Sequence, residues 1–68
     1  MNGQKLKSTI VLFGENIQDL AEVLNITPQT LSNKIHSKYG ACFTQDEIGI
    51  IKKHYNLNAE QVNEIFFS

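Results

Sequence analysis

Two side-chain amides, Gln29 and Asn33, stand four positions apart and would share one face of a helix with Ser32 and His36. At about 100° per residue these four fall within a narrow arc, while Leu31 and Ile35 point well away from it. The arc offers amide, hydroxyl and imidazole groups and no carboxylate. A carboxamide can bond two edge atoms of adenine at once, and each such pair discriminates against a wrong base by about 1–3 kcal/mol. Thr27 and Thr30 lie near the start of the same segment, where their methyls can meet thymine. Lys34, Lys38 and Tyr39 flank the arc within reach of phosphates, which set register rather than sequence.

Other chemistries find less support. A polar helix face standing alone is most often merely solvated, so the arc gains meaning only from the elements around it. His36 serves equally well as a base or phosphate contact and as a cation closing a helix C-terminus. His54 sits with Lys52 and Lys53 where a helix should end, and the helix dipole accounts for it. His36, Cys42 and His54 lack the spacing of metal ligands, so no metal or cofactor is expected. Cys42 has no patterned histidine or acid beside it; a small buried side chain is expected there, and no catalytic residue is found.

The elements that must position the arc are short amphipathic segments with clear stops. A first helix is expected from about Gln4 to Phe13, ended by Gly14. Asn16 reads as the N-cap of a second helix, with Asp19 at its positive end. There Ile17, Leu20, Ala21 and Leu24 form one apolar stripe. Asn25 suits a left-handed turn, and Thr27-Pro28 reads as an N-cap followed by proline at the first helical position. The third helix is expected to reach His36, with Ile26 and Leu31 closing over its start as a hydrophobic staple. Ser37 to Cys42 is expected to be a loop. Thr44 with Glu47 and Asn58 with Gln61 are capping boxes opening a fourth helix, to about Tyr55, and a fifth. The fourth buries Ile48, Ile51 and Tyr55, and the fifth presents Val62, Ile65 and Phe66. No stretch alternates at period two, so the fold class is all-α with five helices and no sheet.

Bulk properties set the frame. The chain of 68 residues makes one domain spanning 1–68, and its 41% hydrophobic content argues against disorder. A single cysteine forms no internal disulfide. No apolar run suits a membrane span, and Met1 to Ser8 lacks the apolar stretch of a secretory signal, so a cytoplasmic protein of a bacterial host cell is expected. The net charge of -1 and the absence of arginine weigh against a nucleic-acid partner. Yet no acid falls between Val23 and Gln45, a gap that holds Lys34, His36 and Lys38, so one face can be positive.

Residues 17–36, IQDLAEVLNITPQTLSNKIH, resemble the helix-turn-helix of the lambda-type phage repressor and Cro family, with Ala21, Asn25 and Leu31 at its structural positions. The run FTQDEIGIIKKHYNLNAEQV is similar to the family's fourth and fifth helices, and the ending EIFF resembles short prophage-encoded regulators. The resemblance implies a compact five-helix DNA-binding domain, with base contacts at Thr27, Pro28, Gln29 and Asn33 and further candidates at Ser32 and His36. Ile17 replaces a glutamine that holds phosphate in many members, so Asn16 or Gln18 would substitute; Thr30, Lys34, Lys38 and Tyr39 complete the expected phosphate contacts. Asn25 replaces the usual glycine, and Pro28 replaces a residue that is often polar, leaving only an apolar contact. The implied partner is a double-stranded DNA operator bound by a homodimer. Phe66 and Phe67 are the candidate dimer contact, one ring closing the core and the other left exposed to pack against a second subunit. The alternative is an antirepressor-like interaction module that captures a partner repressor, which the acidic charge and missing arginine favour.

Overall fold

The computed structural model describes residues 1–67. Its elements are α1 (Gly3–Leu12), α2 (Ile17–Leu24), α3 (Pro28–Ile35), a short 3₁₀ turn (Lys38–Gly40), α4 (Gln45–His54) and α5 (Ala59–Phe66). The described residues thus form five α-helices and no strand, as the periodicity of their apolar positions requires.

Each α-helix is started by a side chain that accepts an otherwise unbonded backbone N–H. Asn2 accepts from Lys5 N, Asn16 from Asp19 N, Thr27 from Thr30 N, Thr44 from Glu47 N and Asn58 from Gln61 N. Reciprocal capping boxes close at Asn16–Asp19, Thr44–Glu47 and Asn58–Gln61. Asn25 ends α2 in the left-handed region at φ 58°, and Gly14 closes the α1–α2 turn at φ 72°. The cap at Asn2 starts α1 one residue earlier than its apolar spacing suggests, and Phe13 becomes the C-cap rather than a helical residue.

The apolar stripes of the five helices meet in one core. Leu6 and Ile10 of α1, Leu20, Ala21 and Leu24 of α2, Leu31 and Ile35 of α3, Ile51 of α4, and Val62, Ile65 and Phe66 of α5 are buried there with Tyr55 and Leu57. Ile26, Phe43 and Ile48 pack on it half-buried, so Ile48 seals the edge of the core rather than filling it. Burying a large aliphatic side chain contributes about 1.5–3 kcal/mol, and that burial, more than helix propensity, holds helices this short. α2 is central, packing on α1, α3 and α4, while α5 packs on α1 and α4. The radius of gyration, 10.8 Å, matches the roughly 11 Å of a folded domain this long. Among the described residues no helix is long and apolar enough to cross a membrane.

The chain start is drawn into the same assembly. Asn2 N–H donates to the Ile65 carbonyl at 2.7 Å. Beside it, a Cβ built on Gly3 would lie 2.7 Å from the Ile35 carbonyl oxygen, so only glycine lets the start of α1 sit against the end of α3. Two expectations are corrected. Cys42 is exposed rather than a buried filler, because it lies in the extended stretch before α4, outside any apolar stripe. Phe66 is buried, 8% exposed, with its ring edge-on to Phe43 at 5.5 Å; it is a core residue and is unavailable to a second subunit.

Candidate nucleic-acid interface

α3 is held from behind and open in front. Leu31 and Ile35 sink its inner face into the core, three residues separate it from α2, and Ala21, 1% exposed, keeps the space between the two helices small. On the outer side Thr27, Pro28, Gln29, Thr30 and His36 are exposed, while Ser32 and Asn33 are half-buried. Gln29 Nε2 donates to Asn33 Oδ1 at 3.1 Å. That bond joins the two amides into one unit and leaves Gln29 Oε1 and the Asn33 amide N–H groups outside it.

The hydroxyls at the helix start are partly committed. Thr27 Oγ1 accepts the Thr30 N–H at 3.2 Å and lies 2.9 Å from Thr30 Oγ1. Both threonines are exposed, beside exposed Pro28 in the first turn. His36 is the C-cap residue of α3 and stays exposed. An open groove next to it is lined by Asn2, Gln4, Lys7 and His36. It brings Gln4 and Lys7 beside the end of α3, a proximity that only the fold of α1 against Ile35 reveals.

The flanking cations divide. Lys38 is exposed in the turn after α3, whereas Lys34 is turned onto α4. Its Nζ lies 2.6 and 2.8 Å from the two Glu47 carboxylate oxygens, with side-chain exposures of only 15% and 13% for the pair. Lys34 is therefore an internal tie rather than a ready phosphate contact, because Glu47 is the nearer anion. Burial alone would raise the Glu47 carboxyl, but the Lys34 ammonium and the Thr44 N–H outweigh it and hold the group below the usual carboxylate range.

The turn after α3 is strained. Ser37 and Tyr39 take left-handed φ values of 53° and 56°, followed by Gly40 at 74°. Such a conformation costs a bulky residue about 1–2 kcal/mol, and its result is a Tyr39 ring that is 94% exposed. Non-glycine residues held in this left-handed region cluster at ligand-binding and switch segments. Asn16 is less available than expected, since its Oδ1 caps α2 and its own N–H bonds the Asp19 carboxylate at 2.9 Å; that carboxylate repels phosphate. Gln18, exposed in the first turn of α2, carries no such burden. Phe67, 57% exposed, is the ring left outside the core at the end of α5. No protein-family model, curated protein or solved structure matches this chain.

Proposed function

We propose that the chain is a sequence-specific duplex-DNA-binding transcriptional regulator of the lambda-type repressor and Cro kind, with α2 and α3 as its helix-turn-helix. α3 enters the major groove, and two copies on a two-fold operator, with half-sites about one DNA turn apart, occlude a promoter. The observation that carries this reading is the outer face of α3. Its amides, hydroxyls and methyls are solvent-accessible, free of carboxylates, and rigidly backed by Leu31 and Ile35. Gln29 and Asn33 are the base readers, with Thr27, Pro28, Ser32 and His36 around them. Gln18, Thr30, Lys38 and Tyr39 meet the backbone, and Phe67 is the ring offered to a second copy.

The test is selection of bound sequences from random duplex DNA, followed by titration of the enriched duplex over a range of salt. A single enriched motif, bound with affinity that falls steeply as salt rises, supports the reading, because phosphate contacts release counterions. No enrichment and no binding at low salt would sink it. The second reading, a protein-interaction module, draws support from Val11 and Leu12, which are 72% and 83% exposed at the end of α1 beside half-exposed Phe13. Clustered aliphatic groups in water mark contact surfaces. In that reading the partner is captured with little dependence on salt.

A further inference from the structure

Lys34 is the one cation in α3, and it follows Asn33 about 100° round the helix, off the proposed reading face and on the side that meets Glu47. A free ammonium there would bond any phosphate and so add affinity for every sequence alike. Instead both Glu47 oxygens take it, at 2.6 and 2.8 Å. Glu47 is itself fixed, because its Oε1 also accepts the Thr44 N–H at 2.9 Å while its own N–H donates to Thr44 Oγ1 at 3.1 Å. The Lys34 ammonium further lies 6.0 Å from the centre of the Phe43 ring, a ring that is anchored on Phe66. One carboxylate thus starts α4 and restrains the only lysine of the helix next to it.

We propose that Glu47 is a positioning residue for α3: it withholds the Lys34 ammonium from the DNA backbone, so that discrimination rests on the neutral amides. The proposal rests on the DNA-binding reading above. Glu47→Gln is the informative change. Glutamine keeps an oxygen for the Thr44 N–H, so the cap on α4 survives, while Lys34 loses its counter-charge and is released on its flexible stem.

The experiment compares the parent, Glu47→Gln, and the Lys34→Met/Glu47→Gln double variant on the parent's selected duplex and on random duplex, between about 50 and 200 mM salt. In Glu47→Gln the salt slope on random duplex is expected to steepen by about 0.9, one further phosphate, or roughly threefold more loss across that range. Its preference for the selected duplex falls several-fold, chiefly through tighter random binding at low salt. The double variant, with no ammonium to release, returns to the parent's slope. A folded Glu47→Gln with the parent's slope and preference overturns the proposal, as does an equal loss on both duplexes at unchanged slope. A double variant with a shallower slope than the parent also overturns it, because Lys34 would then already touch phosphate, and this arm holds even if the single variant fails to fold. A parent that binds neither duplex overturns the DNA-binding reading itself; a parent that discriminates while Glu47→Gln matches it overturns only the role of Glu47.

Discussion

Gln29 donates through Nε2 to Asn33 Oδ1 across 3.1 Å on the exposed side of α3, so the two amides meet any ligand as a pair. Each orients the other, and loss of either leaves its neighbour free to rotate. Under the DNA-binding reading, Gln29→Ala and Asn33→Ala each weaken binding to the selected duplex by about 1–3 kcal/mol and relax discrimination at the contacted bases. Because each single change also disorders the other amide, the double variant loses less than the sum. Strictly additive losses in a double-mutant cycle would show that the amides act independently.

The Lys34–Glu47 tie gives the fold an acid sensitivity of known sign. The Glu47 carboxyl is held below the usual carboxylate range by Lys34 and Thr44 despite the opposing effect of burial. A proton therefore binds the unfolded chain more readily than the folded one. The resulting stability is fully present above the ordinary carboxylate range and drains away as pH falls through the depressed value. Thermal melts from neutral to acidic pH are expected to show a fall in Tm that Glu47→Gln makes shallower. An identical slope in both proteins would mean that Glu47 contributes nothing to acid unfolding.

Much of this architecture is legible in the sequence because its signals are local. Thr44-x-x-Glu47 and Asn58-x-x-Gln61 announce helix starts, Thr27-Pro28 announces another, and Asn25 marks the turn that its left-handed φ of 58° provides. Pairings between distant residues are not legible in this way. Nothing near Lys34 in the chain names Glu47 as its partner, thirteen positions on, and so the lysine reads as a free cation. Phe66 and Phe67 are chemically identical neighbours, and only the helical phase of α5 decides which is buried. The positive φ of Tyr39 is hidden for a further reason: nothing in Ser37-Lys38-Tyr39 has the side-chain simplicity that usually marks such a turn.

A second long-range tie joins the α1–α2 turn to the end of α4. The Tyr55 hydroxyl donates to Glu15 Oε1 at 2.9 Å, and His54 Nε2 lies 2.9 Å from Glu15 Oε2. Burial, then the Glu15 hydrogen bond and charge, push the Tyr55 phenol well above the ordinary tyrosine range. The neutral phenol is thus favoured by the fold, and its contribution is complete below the ordinary tyrosine value and lost as pH rises through the elevated one. Absorbance titration is expected to show Tyr55 ionising only as the chain unfolds. Tyr55→Phe, which keeps the ring contact with Phe13 at 5.0 Å, removes a hydroxyl bonded to a carboxylate at a cost of about 1.5–3 kcal/mol and abolishes that alkaline coupling. Free ionisation of Tyr55 in the folded protein would contradict the assignment.

Two glycines inside helices should respond to alanine in opposite directions. Gly49 lies in α4, and a Cβ there meets nothing within 4 Å. Its conformational freedom costs the helix about 0.5–1 kcal/mol relative to alanine, and no close packing at that position offsets the cost. Gly49→Ala is therefore expected to raise Tm by several degrees, given the roughly 4–8 °C per kcal/mol of a domain this size. At Gly3 the added carbon would sit 2.7 Å from the Ile35 carbonyl oxygen and 3.0 Å from Ile35 Cγ2, and backbone cannot yield as a flexible side chain would. Gly3→Ala must push the start of α1 off the end of α3, lowering Tm and, under the DNA-binding reading, disturbing the helix that carries Gln29 and Asn33. Calorimetry on the two variants decides the matter: if Gly3→Ala melts at or above the parent, the close packing of α1 against Ile35 is not what holds that end of α3.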